Sequence, residues 1–164
     1  MKIAIASDHA GISAKARIVA EVTSLGHEVT DFGPFTKECC DYPDYAAKVA
    51  RAVSNSEVDQ AILIGGTGIG MSIVANKFRG VRAALCHDEF SAQISRRQND
   101  ANILCLASET LCEEVMAQMI FHWLNTPFEA GRHQRRITKI MELENELAKV
   151  GGKRIDGAAA GFHS

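Results

Sequence analysis

A glycine-rich loop is the first segment of this chain whose composition suggests chemistry. Residues 61–70, AILIGGTGIG, run from four apolar residues into a loop with four glycines and one threonine. Glycines accept positive φ values, so several backbone N–H groups of such a loop can point at one anion. A helix predicted from Ile69 would add the partial positive charge of its N-terminus. A tight turn that binds no ligand is the alternative.

Two familiar nucleotide-binding motifs are excluded by the residues that follow this loop. No Lys-Ser or Lys-Thr follows the last glycine, as a P-loop requires. Met71 occupies the position of the third glycine in a dinucleotide fingerprint, and the loop follows the third predicted strand instead of the first. The loop therefore suits a different anionic ligand.

Two further groups of polar residues have types that suit a phosphorylated or hydroxylated ligand. Asp8 and His9 follow a short apolar segment near the start of the chain, where a helix N-cap is the alternative role. Arg132 and Arg136 are four residues apart on one predicted helix, with His133 beside Arg132. Two guanidinium groups in this arrangement can bind a phosphate, and a solvated basic helix face is the alternative.

The elements that must position these groups alternate along the chain. Apolar segments predict strands over residues 2–7, 27–33, 60–65, 80–87 and 101–108. Helical spacing predicts helices over residues 12–25, 44–54 and 69–78, one that ends near 98, and two over 109–124 and 131–149. Short strands separated by helices predict a parallel sheet with helices on both faces.

Sheets of this kind bind ligands beyond the carboxyl ends of their strands, so the residues after each strand are the candidates for the site. Asp8 and His9 follow the first strand, the glycine loop follows the third, and Cys86 and His87 follow the fourth. A histidine such as His87 is suited to general-base work near neutral pH. Cys86 belongs to an apolar run and is interpreted as a buried thiol.

Composition limits the class of protein. The chain has 164 residues, 46% hydrophobic and 23% charged, which suits one globular domain, predicted over 1–149, with a glycine- and alanine-rich tail over 150–164. The formal net charge of −2 argues against nucleic-acid binding, and no apolar run reaches the length of a membrane helix. The start of the chain lacks the apolar region of a signal peptide, and the five cysteines form no CxxC pair. We therefore expect a cytoplasmic protein with reduced thiols.

Six motifs taken together resemble the family of type B ribose-5-phosphate isomerases and galactose-6-phosphate isomerases, over about residues 1–145. They are SDHAG, DYPDYA, GGTGIGMSIVANK, GVRAAL, SRRQNDANIL and GRHQRRI. The resemblance implies a three-layer α/β/α Rossmann-like sandwich with a five-stranded parallel sheet. It implies interconversion of aldose and ketose phosphates through a cis-enediol(ate), without a metal or cofactor. It also implies a homodimer, or a dimer of dimers, with active sites shared between subunits.

The resemblance also implies roles for individual residues. The glycine loop corresponds to the family's anion-binding loop, where preorganised backbone donors stabilise an enediolate oxygen. Asp8 and His9 correspond to residues that contact sugar hydroxyls. The residues and the resemblance together predict four catalytic residues, which are Thr67, Asp8, His9 and His87. They also predict a larger set of substrate-binding residues: Asp8, His9, Tyr42, Gly66, Thr67, Gly68, Ile69, Gly70, Asn99, Arg132, His133 and Arg136.

Four positions depart from the family's pattern. Gly65 stands where the family often has a cysteine base, and Met71 stands where another branch has a glutamate. Gln98 replaces a ring-opening histidine, and Glu109 replaces an arginine that contacts phosphate. Neither glycine nor methionine can move a proton, so a base would have to come from Asp8, His9, Cys86 or His87.

Two functions follow from these departures, and a nucleotide-binding module of flavodoxin-like shape is a third that the loop spacing does not favour. The first is aldose–ketose isomerisation of a small sugar phosphate by a rearranged set of residues. Loss of the ring-opening group matters least for a substrate that forms no stable ring, such as a four-carbon sugar phosphate. The alternative is a non-catalytic sugar-phosphate binder, or a partner subunit of a hetero-oligomeric isomerase.

Overall fold

The computed structural model describes residues 1–154, with side chains described as far as residue 150. It divides into two compact units, Met1–Glu129 and a second that begins at Ala130. The grouping of residues 1–149 into one domain stays a prediction. The predicted tail begins inside a helix that continues to Arg154, and the rest of that tail lies outside the described residues.

The first unit alternates strands and helices, as the sequence predicts. Its strands are β1 (Lys2–Ser7), β2 (Glu28–Asp31), β3 (Gln60–Gly65), β4 (Ala83–Leu85) and β5 (Ile103–Ala107). Its helices are α1 (Ile12–Ser24), α2 (Tyr42–Ser54), α3 (Ile69–Ala75), α4 (Glu89–Asn99) and α5 (Glu113–Asn125). The second unit contributes α6 (Arg132–Arg154). None of the helices in the described part of the chain is both long and apolar enough to cross a membrane.

The five strands form one parallel sheet in the order β2-β1-β3-β5-β4, which confirms the predicted sheet. At its centre Ile5 pairs with Ile62, and Ile62 pairs with Leu104. The chain crosses from β1 to β2 in one direction, and from β3 to the remaining strands in the other. The carboxyl ends of β1 and β3 are therefore the switch point at which a ligand crevice is expected.

Two apolar cores cover the faces of the sheet and complete the α/β/α sandwich. One core holds α1, α4 and α5 against the sheet, with Trp123 and Ile62 fully buried in it. The other holds α2 and α3, with Val49 and Leu63 buried. Because α1 leaves β1 toward one face and α3 leaves β3 toward the other, the backbone separates between these two strands and opens a crevice.

Two element boundaries differ from the sequence prediction for reasons that bear on the site. Helix α3 ends at Ala75, because the Asn76 side chain donates to the carbonyls of Ser72 and Ala83 and accepts from the Ala83 N–H. Helix α5 begins at Glu113 instead of 109, because the Glu109 N–H donates to the carbonyl oxygen of Gly66 at 3.0 Å. The second difference draws the segment after β5 onto the glycine loop.

Candidate active site

The glycine loop connects β3 to α3 and depends on glycine at one position above all. Gly68 has φ +71° and is the N-cap of α3. A Cβ atom there would lie 2.9 Å from the carbonyl oxygen of Leu106 and 2.7 Å from Cδ1 of Leu85. Both the left-handed backbone and the close approach of β5 require glycine. The loop is thus held against the carboxyl end of β5.

Asp8 joins the turn after β1 to the glycine loop. Its Oδ1 accepts hydrogen bonds from the N–H groups of Ala10 at 2.9 Å and Gly11 at 3.1 Å. Its Oδ2 accepts one from the N–H of Gly66 at 3.2 Å. Helix α1 begins after Gly11 without any side-chain cap. Asp8 therefore does not cap α1 in the way the alternative role would require, and it fixes two loops of the crevice to each other.

A cavity of about 180 Å³ lies at this junction. Its lining comes from the ends of β1 and β3, the start of α2 and the segment after β5. The lining residues are Asp8, Tyr42, Gly65, Gly66, Thr67, Gly68, Gly70, Met71 and Glu109. The structure thus brings together Asp8, Tyr42 and most of the predicted glycine loop, and it adds Met71 and Glu109.

Tyr42 forms one wall of the cavity. It is the first residue of α2 and its side chain remains 42% exposed. A Cβ atom on Gly70 would lie 2.6 Å from the Tyr42 ring, so the ring rests directly on the loop backbone. The phenol group is therefore within the site that the sequence predicts for it.

The Glu109 side chain lies against the loop from the side of β5. A Cβ atom on Gly66 would lie 2.8 Å from Oε1 of Glu109, so the carboxylate sits directly over that glycine. Two carboxylates, those of Asp8 and Glu109, line the cavity, and among the described residues no lysine, arginine or histidine does. The described wall of the cavity is therefore acidic. The sequence places Glu109 after the fifth predicted strand, at the carboxyl edge of the sheet, and marks it as a departure from the family's pattern, but it does not show that the side chain lies over Gly66.

Gly65 is the last residue of β3 and its backbone does not have a positive φ. A Cβ atom there would lie 3.1 Å from Oδ2 of Asp8 and 3.1 Å from Cγ of Met71. Met71 is 1% exposed, so its side chain occupies the space beside Gly65. A larger residue at position 65 is thus limited by its neighbours and not by backbone strain.

His9 lies beside the crevice without lining the cavity. Its ring is exposed, and its Nδ1 accepts a long hydrogen bond of 3.4 Å from the N–H of Cys40. An accepting Nδ1 leaves the proton of the neutral ring on Nε2, which is then a donor. Burial raises the pKa of the Cys40 thiol, a direction that favours its protonated form.

Three other candidates lie after β4 and are not in the cavity lining. His87 is exposed, and its backbone N–H donates to Oγ of Ser91 at 3.2 Å. Cys86 is buried, and burial raises the pKa of its thiol, as the interpretation of an inert thiol expects. Asn99 ends α4, and its carbonyl oxygen accepts from Nε of Arg82 at 3.1 Å. Strand β5 separates β4 from β3, which places His87 and Cys86 on a more distant part of the carboxyl edge. Asn99, bonded to Arg82 ahead of β4, lies at the opposite, amino edge of the sheet.

The predicted phosphate ligands belong to the second unit. Arg132 and Arg136 are exposed and lie one turn apart on α6, whereas His133 is 3% exposed. Nε of Arg132 donates to Nε2 of His133 at 3.3 Å, which orients that guanidinium group. Their role toward phosphate stays a prediction. Among the described residues no group of histidines, cysteines and carboxylates has the geometry to hold a metal ion.

Comparison with known proteins adds the family context. The model of the family described as "Ribose/Galactose Isomerase" matches residues 3–140. "Ribose-5-phosphate isomerase B" of Escherichia coli is 46% identical over 143 residues, which are 87% of this chain and 96% of that protein. A "Putative sugar phosphate isomerase" of Bacillus subtilis is 46% identical over 147 residues, 89% of this chain and 99% of that protein.

Solved structures give the same picture. Ribose-5-phosphate isomerase B from Clostridium thermocellum superposes with a TM-score of 0.88 at 44% identity, covering 90% of this chain and 99% of that one. The Mycoplasma genitalium enzyme, solved with bound ribulose-5-phosphate, superposes with a TM-score of 0.85 at 42% identity. That match covers 88% of this chain and 97% of the Mycoplasma protein.

Proposed function

The chain belongs to the ribose/galactose isomerase family, and from this premise we propose that it interconverts the aldose and ketose forms of a small sugar phosphate. The reaction is of the ribose-5-phosphate/ribulose-5-phosphate type and passes through a cis-enediol. The observation that carries the proposal is the cavity between Asp8 and the glycine loop, whose backbone is held open by fixed contacts. Sugar-phosphate chemistry in relatives that cover nearly the same length supports it.

The glycine loop supplies the electrostatic part of the mechanism. Removing a proton next to a carbonyl places negative charge on oxygen, and donors that are already oriented stabilise that charge. Among the described residues, the N–H groups of Thr67 and Gly68 donate to no acceptor, so they are available for a ligand. Helix α3 has only seven residues, so we assign this role to the loop N–H groups and not to the helix N-terminus.

The remaining substrate contacts divide between hydroxyl and phosphate ends. Asp8, His9 and Tyr42 surround the crevice with oxygen acceptors and a ring donor, which suits sugar hydroxyls. Because the described cavity wall carries two carboxylates and no cation, a dianionic phosphate is disfavoured there. We therefore propose that Arg132, His133 and Arg136 bind the phosphate. Asn99 and Ile69 complete the proposed binding set.

The assembly and location are part of the same proposal. We propose a homodimer or a dimer of dimers in which subunits share active sites, and a cytoplasmic location. All five cysteines are free thiols, which suits a reducing compartment. Light scattering at micromolar concentration tests the assembly, and a folded, active monomer would contradict it.

The size of the substrate follows from Gln98, a neutral amide on α4. An amide neither donates nor accepts a proton readily, so it is a poor group for opening a sugar ring. We propose that a substrate without a stable ring, such as a four-carbon sugar phosphate, reacts faster than a cyclic pentose or hexose phosphate.

A second candidate function is supported by Gly65 and Met71. These positions face the cavity, and neither side chain can transfer a proton. A sugar-phosphate binder, or a subunit that depends on a related chain for its base, would need the glycine loop for binding. It would not need a proton-transferring side chain of its own. The two functions differ in turnover and not in binding.

The experiment that separates them is a panel of aldose and ketose phosphates with four to six carbons. Each is incubated with the protein in D₂O, and NMR follows deuterium entry at C1 and C2 together with net conversion. We expect exchange at both carbons, fastest with the four-carbon compounds. Binding by calorimetry without any exchange would favour the binder, and neither binding nor exchange would reject both functions.

A further inference from the structure

We infer that Glu109 is the catalytic base that carries the proton between the two reacting carbons. This inference rests on the proposed isomerase function and assigns its missing residue. It gives position 109, where the resemblance implies an arginine that contacts phosphate, a different role in this chain. It comes from the shape of the cavity, because Glu109 reaches the glycine loop from β5, on the side of the loop away from β1. Nothing in the local sequence around SETLCEE marks this residue as catalytic.

The position of the Glu109 carboxylate is fixed by its own backbone. The Glu109 N–H donates to the Gly66 carbonyl at 3.0 Å, and the preceding Ser108 N–H donates to the Gly65 carbonyl at 2.9 Å. These two hydrogen bonds attach the segment after β5 to two consecutive residues at the start of the glycine loop. The side chain then lies over Gly66, with Oε1 2.8 Å from where a Cβ atom would be. A glycine at 66 is what gives the carboxylate room at this place.

The Glu109 carboxylate also differs from the Asp8 carboxylate in the hydrogen bonds that it accepts. Asp8 uses both oxygens to accept three backbone N–H groups, so its lone pairs maintain the shape of the crevice. The Glu109 carboxylate accepts no hydrogen bond and forms no ion pair within the described residues, and it is solvent-accessible. Of the two carboxylates in the lining, Glu109 is therefore the one able to take up a proton without dismantling the site.

The other candidate bases are less well placed. His87, which the sequence favours, and Cys86 follow β4 and are not in the lining of the cavity. Tyr42 lies in the cavity, but a phenol is a weak base in its protonated form. A carboxylate acting beside oriented N–H donors is a combination that suits proton abstraction next to a carbonyl.

The Glu109 carboxylate takes the proton from C2 of the aldose phosphate, and the C–H electron pair forms the C1–C2 double bond. The carbonyl electrons move to O1, which is stabilised by the loop N–H groups and takes the proton from O2. The O2 electrons form the new carbonyl at C2, and the Glu109 carboxylic acid returns its proton to C1. The ketose phosphate leaves with Glu109 ionised again.

The test compares Glu109→Gln with Glu28→Gln in the full-length protein. Glu28 is an exposed glutamate at the first residue of β2, at the amino edge of the sheet, so the control makes the same change away from the site. We expect Glu109→Gln to slow deuterium exchange at C1 and C2 by about 10²- to 10⁴-fold, the usual contribution of a general base. The Kd for the sugar phosphate and the melting temperature should stay at their wild-type values, as both should in Glu28→Gln.

A second variant distinguishes a base from a shape effect. Glu109→Ala opens the space of the side chain, and added formate should restore part of the exchange by supplying a carboxylate. Wild-type exchange in Glu109→Gln, or a loss in Glu109→Ala that formate leaves unchanged, would overturn the assignment while the isomerase function stands. Absence of exchange in the wild-type protein with every compound of the panel would reject the isomerase function and the Glu109 assignment with it.

Discussion

Two aspartate–histidine pairs follow strands of the same sheet, and they have opposite surroundings. Asp8 and His9 come after β1, whereas His87 and Asp88 come after β4. Asp88 caps α4 by accepting from the Ser91 N–H at 2.6 Å, and the Ser91 hydroxyl bonds back to the cap. Asp8 makes no such cap and bonds across the crevice to the glycine loop.

The strand order explains this difference. Strand β1 is adjacent to β3, and the chain leaves the two strands toward opposite faces. Strand β4 is at the edge of the sheet with β5 between it and β3, and the Asp88 side chain after β4 bonds to the start of its own helix. An aspartate at equivalent strand ends thus lines a cavity in one place and caps a helix in the other.

The largest effect is expected for Gly68→Ala, compared with Gly80→Ala. Both glycines have a positive φ, +71° and +73°, but Gly68 faces the Leu106 carbonyl whereas nothing lies within 4 Å of a Cβ atom on Gly80. The left-handed conformation alone costs about 1–2 kcal/mol. The clash with β5 should raise the loss at Gly68 to about 3–4 kcal/mol, near the upper range of single substitutions.

Urea denaturation of both variants measures this difference. Equal losses of unfolding free energy would show that β5 does not confine the loop. Retention of full stability by both would contradict the left-handed conformation itself.

The next-largest effect is expected when an arginine that we propose as a phosphate ligand is removed. Since the described cavity wall is acidic, Arg136→Ala should weaken sugar-phosphate binding by about 1.5–3 kcal/mol, the range for a hydrogen bond to a charged group. Binding of the unphosphorylated sugar should not change. Calorimetry with the two ligands gives the answer, and equal losses for both would mean that Arg136 has a structural role only.

A smaller effect is expected when the cysteine that the family often has is placed at position 65. Gly65→Cys must displace Met71 or Asp8, whose atoms stand 3.1 Å from the new Cβ. Overpacking of this kind costs about 1–3 kcal/mol, and movement of Asp8 would release the Gly66 N–H. With Glu109 as the base, we expect activity to fall and not to rise.

Gly65→Ala and Gly65→Ser are the matched controls for this variant. They introduce the same Cβ without a thiol, so they should lose a similar amount of stability and activity. A large gain of activity in Gly65→Cys alone would show that the native chain lacks an effective base, and it would favour the binder.

The sequence predicts the sheet well and the site only in part, for physical reasons. A buried parallel strand such as β3 is a continuous apolar run, so composition alone identifies it. The order of the strands depends on which face each helix covers, and this is decided by packing between distant segments. For that reason the sequence could not show that a residue after β1 lines the cavity whereas the residues after β4 do not.

Glu109 shows the same limit at a single residue. Helical spacing predicts a helix from 109, whereas the Glu109 N–H donates across the sheet edge to Gly66 and α5 begins at Glu113. Nothing in the local pattern reports a bond across 43 residues. Fold class depends on repeated local signals, whereas the site depends on a few single contacts that no periodicity encodes.

The smallest effect is expected for His87→Asn, and it is the most direct check on the comparison between the two pairs. The His87 side chain is exposed and its backbone N–H, not its ring, contacts Ser91, so asparagine should preserve the start of α4. Turnover and deuterium exchange should therefore equal those of the wild type. The contrasting variant is Asp8→Asn, which keeps one oxygen acceptor but cannot serve Ala10, Gly11 and Gly66 with two. An unsatisfied donor costs about 1–3 kcal/mol, so exchange should fall while His87→Asn leaves it intact. If His87→Asn instead abolished exchange, the end of β4 would have to contribute to the reaction, and strand order would not separate the two pairs.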